Sequence, residues 1–191
     1  MLIAECGPLL SRELEVTRLV LPAGTPLAEL AATTYGMAHA YADDGGTFFS
    51  QRDLVNALAA YYYGFGWLHF GIGYGLLACP KKPACPFDGQ HETLPPAHMA
   101  RLDEKVQRYA RLLDTACDSV APAPEHETVA GVFARQVMVI GTSYARGGRS
   151  SLAAGAREDA LTRFSYGHGW VDAGARAGLL ALTGNREIFT I

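Results

Sequence analysis

Tyr63-Gly64-Phe65-Gly66-Trp67 is repeated as Tyr166-Gly167-His168-Gly169-Trp170, 103 residues further along the chain. The match extends without a gap over residues 41–78 and 144–181, and 14 of these 38 paired positions are identical. Self-similarity at a constant offset is typical of an internal repeat. We therefore predict a tandem duplication, and we call two residues that lie 103 apart equivalent positions.

Composition predicts an all-α protein, because no window combines period-two alternation with β-branched enrichment. We predict two three-helix bundle repeats that pack as a pseudo-twofold six-helix assembly, which would imitate a homodimer within one chain. The first repeat covers residues 1–78 and the second residues 99–191. Residues 79–98 contain five prolines and no helical period, and are predicted to be a Pro-rich linker.

Helix starts and ends can be placed from local signals. Apolar residues at alternating spacings of three and four predict one amphipathic helix between Met99 and Val120. The next helix of each repeat is predicted to begin at Thr25-Pro26 and near Thr128, where threonine can serve as N-cap. Glycine pairs at 45–46 and 147–148 are expected to end these helices.

The third helix of each repeat is expected to be the longest. In the first repeat it is predicted to begin at a capping box, Ser50–Asp53, and to end at Cys79-Pro80. Its counterpart is predicted from Ala156 to Leu182. The C-terminal tail, residues 188–191, is the one segment where a strand is allowed.

Small residues follow one face of these third helices. Ala57, Gly64, Gly71, Gly75 and Ala78 form a seam that the second repeat also carries. Glycine in a helix interior costs about 0.8 to 1 kcal/mol against alanine. We interpret the seam as a surface for close helix packing, with a ligand along the groove as the alternative.

One uncharged stretch, residues 54–80, is long enough to span a bilayer. At the positions equivalent to Asn56, Ala60, His69 and Gly73 the second repeat carries four charged residues, which would be costly in lipid. These are Asp159, Arg163, Asp172 and Arg176. We therefore predict no membrane span.

Polar side chains at i, i+4 and i+8 of the last helix form the strongest candidate site. They are His168, Asp172 and Arg176, and a carboxylate beside a histidine can orient the ring and raise its basicity. With the neighbouring Tyr166 and Trp170 they are the predicted ligand-binding residues. His168 and Asp172 are also the candidate catalytic residues. The alternative is a solvated helix face with ordinary ion pairs.

Metal and cofactor motifs are weak. Cys79, Cys85, His91 and His98 could supply four zinc ligands, but their spacing is not that of a known zinc knuckle. We predict no metal and no cofactor.

The net charge of the 191-residue chain is −3 and is not concentrated. Residues 1–78 sum to −4, residues 79–98 to 0 and residues 99–191 to +1. Binding of nucleic acid or anionic membranes needs clustered basic residues, so neither partner is predicted. The start, Met1–Glu5, lacks the features of a signal peptide, and the four cysteines are interpreted as free thiols. These features favour a cytoplasmic protein.

The second repeat resembles a known family, the archaeal domain of unknown function 357. The resemblance rests on Phe164–Gly174, preceded by Glu158–Leu161 and followed by Gly178–Leu180. The first repeat resembles it through Asp53–Leu58 and Tyr63–Trp67, but His69-Phe70-Gly71 stands where the family has Asp-Ala-Gly, so the second copy is the closer one. The resemblance implies a three-helix bundle per unit and an archaeal, cytoplasmic origin. It implies no reaction.

Two functions are therefore open. The first is a helical binding or scaffold module for an unknown protein or small-molecule partner, with homo-oligomerisation possible. The second is an enzyme that uses His168 with Asp172 as an acid–base pair on an unknown substrate.

Overall fold

The computed structural model describes residues 1–190 and is mostly helical, which confirms the predicted fold class. Within these residues the α-helices are α1 (Ile3–Val16), α2 (Pro26–Ser50), α3 (Leu54–Gly73), α4 (Met99–Asp118), α5 (Val129–Ala153) and α6 (Arg157–Arg176). The bounds of α2 and α5, and those of α3 and α6, differ by 103 residues at both ends. None of these helices combines the length and the apolarity needed to cross a membrane.

Four short strands were not predicted. β1 (Arg18–Leu19) pairs antiparallel with β2 (Leu77–Ala78), and β3 (Val120–Pro122) pairs antiparallel with β4 (Leu180–Leu182). Each pair fastens the segment after the first helix of a repeat to the segment after its third helix. Two or three residues are too short for alternation to be read from sequence. The predicted C-terminal strand is wrong for its described part, because Arg186–Ile188 forms a 3₁₀-helix; Ile191 lies outside the described residues.

The N-caps of the second helices are confirmed. The Thr25 hydroxyl accepts a hydrogen bond from the Ala28 amide, and the Thr128 hydroxyl accepts one from the Gly131 amide. The predicted capping box at Ser50 is wrong. Ser50 is the last residue of α2, and Asp53 caps α3 by accepting from the Asn56 amide.

The glycine pairs at 45–46 and 147–148 do not end their helices; they lie inside α2 and α5. A Cβ atom at Gly45 would lie 2.4 Å from the ring of Tyr61, and one at Gly148 would lie 2.3 Å from the ring of Phe164. The glycines therefore make room for an aromatic ring from the third helix of the same repeat. This packing outweighs the low helix propensity of glycine, and it makes α2 and α5 the longest helices.

The third helices end earlier than predicted. Gly75 and Gly178 have φ angles of 79° and 70°, a left-handed conformation that glycine adopts without strain. The amide of the residue after each glycine donates a hydrogen bond to the last turn of the helix: Leu76 donates to the Gly71 carbonyl, and Leu179 donates to the Gly174 carbonyl. This closure is a Schellman motif, and the chain continues as a strand.

The glycine seam is a surface for close helix packing, as predicted, and the helix that it packs against belongs to the same repeat. A Cβ atom at Gly64 would lie 3.2 Å from the Ala38 carbonyl oxygen, and one at Gly71 would lie 2.9 Å from Thr34. Both contacts are made with α2 of the same repeat, and Gly167 and Gly174 likewise face Tyr144 and Val137 of α5. The seam therefore packs helices within each repeat, and side chains fill the groove proposed for a ligand.

Two other glycines bring α3 and α6 together. A Cβ atom at Gly66 would lie 2.6 Å from the Tyr166 carbonyl oxygen, and one at Gly169 would lie 2.6 Å from the Tyr63 carbonyl oxygen. The two contacts are the same contact made twice at equivalent positions. The long apolar helices are buried along most of their length against each other and against α2 and α5.

Three carboxylates, two of them buried, hold the linker against the helices. Glu13 accepts a hydrogen bond from the Ala84 amide, Asp159 accepts one from the His91 amide, and Glu158 accepts one from the Leu94 amide. Residues 79–95 contain no helix or strand, so these bonds fix an otherwise irregular segment.

Candidate functional site

Two tyrosines cross from one repeat to the other at equivalent positions. The Tyr63 hydroxyl donates a hydrogen bond to Oδ2 of Asp172, and the Tyr166 hydroxyl lies 2.9 Å from Nδ1 of His69. His69 and Asp172 also lie at equivalent positions. The tyrosine of each repeat therefore makes the same contact with the other repeat, once with a carboxylate and once with an imidazole. Burial raises the pKa of Tyr63 and Tyr166, and the charge of Asp172 raises that of Tyr63 further.

Asp172 is completely buried, and both of its carboxylate oxygens accept hydrogen bonds. Oδ2 accepts from Tyr63, and Oδ1 accepts from the Thr190 amide at 2.8 Å. The carboxylate therefore ties the C-terminal tail and α3 to α6. A buried carboxylate is stable only when hydrogen-bond donors compensate for its lost hydration, and here the two donors come from two different segments of the chain.

His168 is 7% exposed, and its Nε2 atom has no hydrogen-bond partner within the described residues. Burial lowers the pKa of His168, while the charge of Asp172 and a hydrogen bond to the Ile188 backbone act in the opposite direction. The ring packs edge-on against Tyr63, with 5.6 Å between the ring centroids. A neutral imidazole whose Nε2 lacks a partner is an unusual buried group, since most such atoms are paired.

An open pocket of about 320 Å³ lies beside His168, between α2 and α3 of the first repeat and α4 and α6 of the second. Its walls are formed by Tyr41, Tyr63, Lys105, Tyr109, His168 and Thr190, together with smaller contributions from neighbouring residues. The rings of Tyr41 and Tyr63 pack at 4.4 Å between centroids. This volume falls in the range of small-ligand sites.

The equivalent location in the other half is partly filled by a ring of the linker, and hollows of about 340 and 370 Å³ remain beside that ring. Tyr144 and Tyr166, equivalent to Tyr41 and Tyr63, pack at 4.5 Å, and the ring of Phe87 from the linker lies 5.1 Å from each of them. The guanidinium of Arg163 lies 5.3 Å from the Phe87 ring centroid. We call this arrangement the filled pocket.

The two residues that reach the tyrosine pairs from outside the helices also lie at equivalent positions. Phe87 follows the first repeat and reaches the tyrosines of the second, whereas Thr190 follows the second repeat and reaches Tyr63 of the first. Position 87 plus 103 is position 190. Threonine is much smaller than phenylalanine and places no ring on its tyrosine pair.

The predicted site residues lie around three separate hollows. His168 lines the open pocket, and Arg176 lines a hollow with Met37 and Phe189. Tyr166 and Trp170 line a third, of about 340 Å³, beside the linker. The interpretation of this face as solvated is wrong for His168 and Asp172, which are buried, and Arg176 alone of the three polar residues is exposed.

A histidine network beside the filled pocket was missed by sequence reasoning. His91 contacts Oδ1 of Asp159 through Nδ1 and the Tyr62 hydroxyl through Nε2. Burial lowers the pKa of His91, although Asp159 opposes that shift. In residues 1–190 no three histidine, cysteine or acidic side chains converge as a metal-binding group, and His91 is used by this network instead.

Three further residues of the open pocket, Tyr41, Tyr63 and Lys105, were also not predicted as site residues. Tyr41 and Tyr63 are identical to the residues at their equivalent positions, Tyr144 and Tyr166. The sequence therefore did not indicate which tyrosine pair is structural and which lines a site. A usable signal was present at position 168, where histidine replaces the phenylalanine of the equivalent position 65.

Comparison with known families gives one match. The model of the family described as "Protein of unknown function (DUF357)" matches residues 7–77 and again residues 108–180. The two matched segments agree with the duplication inferred from the sequence. A comparison with curated proteins found no match, and neither did a comparison with solved structures.

Proposed function

The chain belongs to the DUF357 family of proteins of unknown function, and we propose that it is a helical module that binds a small ligand in the open pocket. The observation that carries this proposal is the unpartnered Nε2 atom of His168 beside a pocket of about 320 Å³. Nε2 itself has almost no accessible surface, so we propose that the ring turns toward the pocket to give a bound molecule the missing hydrogen bond. Aromatic walls with a few polar groups are the usual composition of such sites.

The architecture we propose is two three-helix repeats in a pseudo-twofold six-helix assembly, with residues 1–78 and 99–191 as the repeats and 79–98 as the linker. Reciprocal contacts support it. Gly66 and Gly169 meet each other's helices, and the Tyr63–Asp172 contact is repeated as Tyr166–His69. An isologous interface has this property, because each patch contacts its own counterpart.

Binding is favoured over the acid–base alternative by the partners of Asp172. Both of its oxygens accept from Tyr63 and Thr190, which competes with a role in assisting His168. His168 therefore acts in this proposal as a ligand contact.

We also propose a cytoplasmic location and an archaeal origin, the latter following from the family resemblance. The location is supported by four free cysteines, of which Cys6 is buried; burial raises the pKa of its thiol to about 12. Free thiols of this kind suit a reducing compartment.

A fragment screen tests the proposed function. The full chain is mixed with a library of aromatic, aliphatic, sugar and nucleoside fragments, and the ring resonances of His168 are followed by NMR. At least one class of fragment should shift them, and His168→Phe, which restores the residue found at the equivalent position 65, should weaken binding of that class.

Arg176→Gln is the matched control, because Arg176 is an exposed polar residue of the same helix and lines a different hollow. This variant should bind as the wild type does. A screen in which no fragment of any class moves the His168 resonances would overturn the proposed function.

A further inference from the structure

The filled pocket supplies direct information about what the open pocket can hold. Both pockets are built on a tyrosine pair with nearly the same spacing, 4.4 Å for Tyr41 and Tyr63 and 4.5 Å for Tyr144 and Tyr166. One of them contains an occupant from the chain itself. The chemistry of that occupant is therefore a guide to the other pocket.

The occupant of the filled pocket is a phenyl ring. Phe87 meets Tyr166 edge-to-face, with an interplanar angle of 89°, and meets Tyr144 at 39°. Such tilted and T-shaped contacts are the favoured geometries of aromatic pairs. A paired set of tyrosines that accepts one aromatic ring in this way is suited to accept another at the equivalent place.

The open pocket differs from the filled one by a polar atom. Position 65, equivalent to 168, is phenylalanine, whereas His168 offers an unpartnered Nε2. The Ile188 backbone acts as an acceptor beside the His168 ring and raises its pKa, and Nε2 is the ring nitrogen without a partner, so we place the proton of the neutral ring on Nδ1. In a neutral imidazole the other nitrogen is then an acceptor, so the missing partner is a hydroxyl or N–H group.

The open pocket also carries a positive charge. Lys105 lines it, with Nζ 5.8 Å from the centroid of the Tyr109 ring. Arg108 and Arg101 lie on the same helix, and Arg101 is already paired with Asp53 through a contact of 2.7 Å. The filled pocket likewise places a cation, Arg163, against its aromatic occupant. Lys105 would attract an anionic substituent.

From these contacts we infer that the open pocket binds a small planar aromatic molecule that carries a ring hydroxyl or N–H group toward His168 and an anionic group toward Lys105. This inference rests on the proposed function and names its ligand class. The Tyr41–Tyr63 pair receives the ring, since Thr190 places none on it, whereas Phe87 packs on the tyrosine pair of the filled pocket.

Four probes separate the parts of the inference. 4-Hydroxybenzoate has the ring, the donor and the charge; 4-methoxybenzoate lacks the donor; 4-hydroxybenzamide lacks the charge; and trans-4-hydroxycyclohexanecarboxylate lacks the aromatic ring. Titration of each into the full chain, followed by calorimetry and by the His168 ring resonances, should place 4-hydroxybenzoate first. Loss of the aromatic ring should weaken binding by about fivefold, loss of the donor by about fivefold, and loss of the charge by about threefold.

Variants then assign each part to a residue. Thr190→Phe puts the filled-pocket residue at the equivalent position and should weaken 4-hydroxybenzoate binding by about tenfold or more, because the new ring occupies the space. His168→Phe should remove the preference for 4-hydroxybenzoate over 4-methoxybenzoate, and Lys105→Met should remove the preference over 4-hydroxybenzamide. Arg176→Gln should change none of these ratios.

The outcomes also separate this inference from the proposed function. If the cyclohexane probe binds as tightly as 4-hydroxybenzoate and still shifts His168, the aromatic class is wrong while ligand binding in the pocket stands. If none of the four probes shifts His168, the class is wrong, and the fragment screen decides the proposed function. Equal binding of 4-hydroxybenzoate by Thr190→Phe, with a folded variant, would also overturn the inference.

Discussion

The open pocket and the filled pocket begin from the same tyrosine pair and end with different occupants. At the filled pocket the linker contributes Phe87, and the neighbouring position 65 is an apolar phenylalanine. At the open pocket the tail contributes the smaller Thr190, and position 168 is a histidine with an unpartnered nitrogen. The Tyr144–Tyr166 pair is therefore contacted by a ring of its own chain, whereas the Tyr41–Tyr63 pair is left for an external molecule.

The largest effect is expected where the two halves meet. Gly66→Ala or Gly169→Ala would place a Cβ atom 2.6 Å from a backbone oxygen of the opposite helix, which cannot move independently. We expect each substitution to lower the free energy of unfolding by about 3 kcal/mol, measured by urea denaturation followed by circular dichroism. If the two halves did not share this contact, the cost would be near zero.

Gly46→Ala is the matched control for that experiment. Gly46 is also helical, but a Cβ atom there meets nothing within 4 Å. This variant should gain about 0.5 to 1 kcal/mol in the free energy of unfolding, because alanine has the higher helix propensity. A similar loss at positions 46 and 66 would contradict the assigned role of Gly66.

The next effect compares the two occupants. Phe87→Ala should lower the free energy of unfolding by about 2 kcal/mol, less than a fully buried phenylalanine would cost, because Phe87 is only half-buried. Thr190→Ala, at the equivalent position, should change it by less than about 0.5 kcal/mol. Added phenol should restore part of the loss in Phe87→Ala, which thermal melting with and without phenol would measure. Equal losses in the two variants would mean that the pockets do not differ as described.

A pH titration compares the buried histidines beside the two pockets. Burial lowers the pKa of His91 at the filled pocket and of His168 at the open pocket, so both rings are neutral in the folded protein. Their contribution to stability is complete above the unfolded-state pKa, about 6.5, and is lost as the pH falls from that value toward the lowered pKa of each folded ring. Asp159 and Tyr62 face His91, whereas Asp172, Tyr63 and Lys105 surround His168.

We therefore expect the free energy of unfolding to fall as the pH decreases below about 6.5. His168→Phe should flatten part of that slope, and His91→Gln should flatten another part. A ligand that donates a hydrogen bond to the neutral Nε2 atom should increase the contribution of His168 but leave that of His91 unchanged. A slope that neither substitution alters would assign the acid sensitivity to other groups.

The smallest effect concerns the turn between the second and third helices. Arg52 has a φ angle of 61°, and its equivalent, Gly155, has a φ angle of 78°. Arg52→Gly should raise the free energy of unfolding by about 0.5 kcal/mol, since the left-handed strain of about 1 to 2 kcal/mol is partly offset by glycine entropy. Gly155→Arg should lower it by a similar amount. Melting temperatures of the two variants would check the opposite signs, and a shared sign would contradict the equivalence of these turns.

Sequence reasoning predicted the duplication, the helical class and the threonine caps because each of these depends on local or repeated patterns. It failed at Gly45 and Gly148, where an aromatic ring from another helix overrides the helix-breaking tendency of glycine. It could identify His168 as unusual, but not as the wall of a pocket shared with Tyr41 and Lys105 from other elements. Such contacts are set by tertiary packing, which periodicity does not describe.

The position of Phe87 also could not be predicted, because the linker has no periodic sequence pattern that indicates its path. Its equivalence to Thr190 follows from the offset of 103, yet it lies outside the region where the two repeats are visibly alike. The carboxylates of Glu13, Glu158 and Asp159 fix the path of the linker through single hydrogen bonds to its backbone. Such bonds between residues far apart in sequence leave no local pattern.

The central claim is that the Tyr41–Tyr63 pair receives an aromatic ligand, whereas Phe87 of the chain itself packs on the Tyr144–Tyr166 pair. Isotope-edited NOE spectroscopy with 4-hydroxybenzoate tests it directly, by recording contacts between the ligand protons and the protein rings. The account predicts contacts to Tyr41 and Tyr63, with the Phe87 contacts to Tyr144 and Tyr166 unchanged. Ligand contacts to Tyr144 and Tyr166 with Phe87 displaced, or contacts to neither pair, would contradict it.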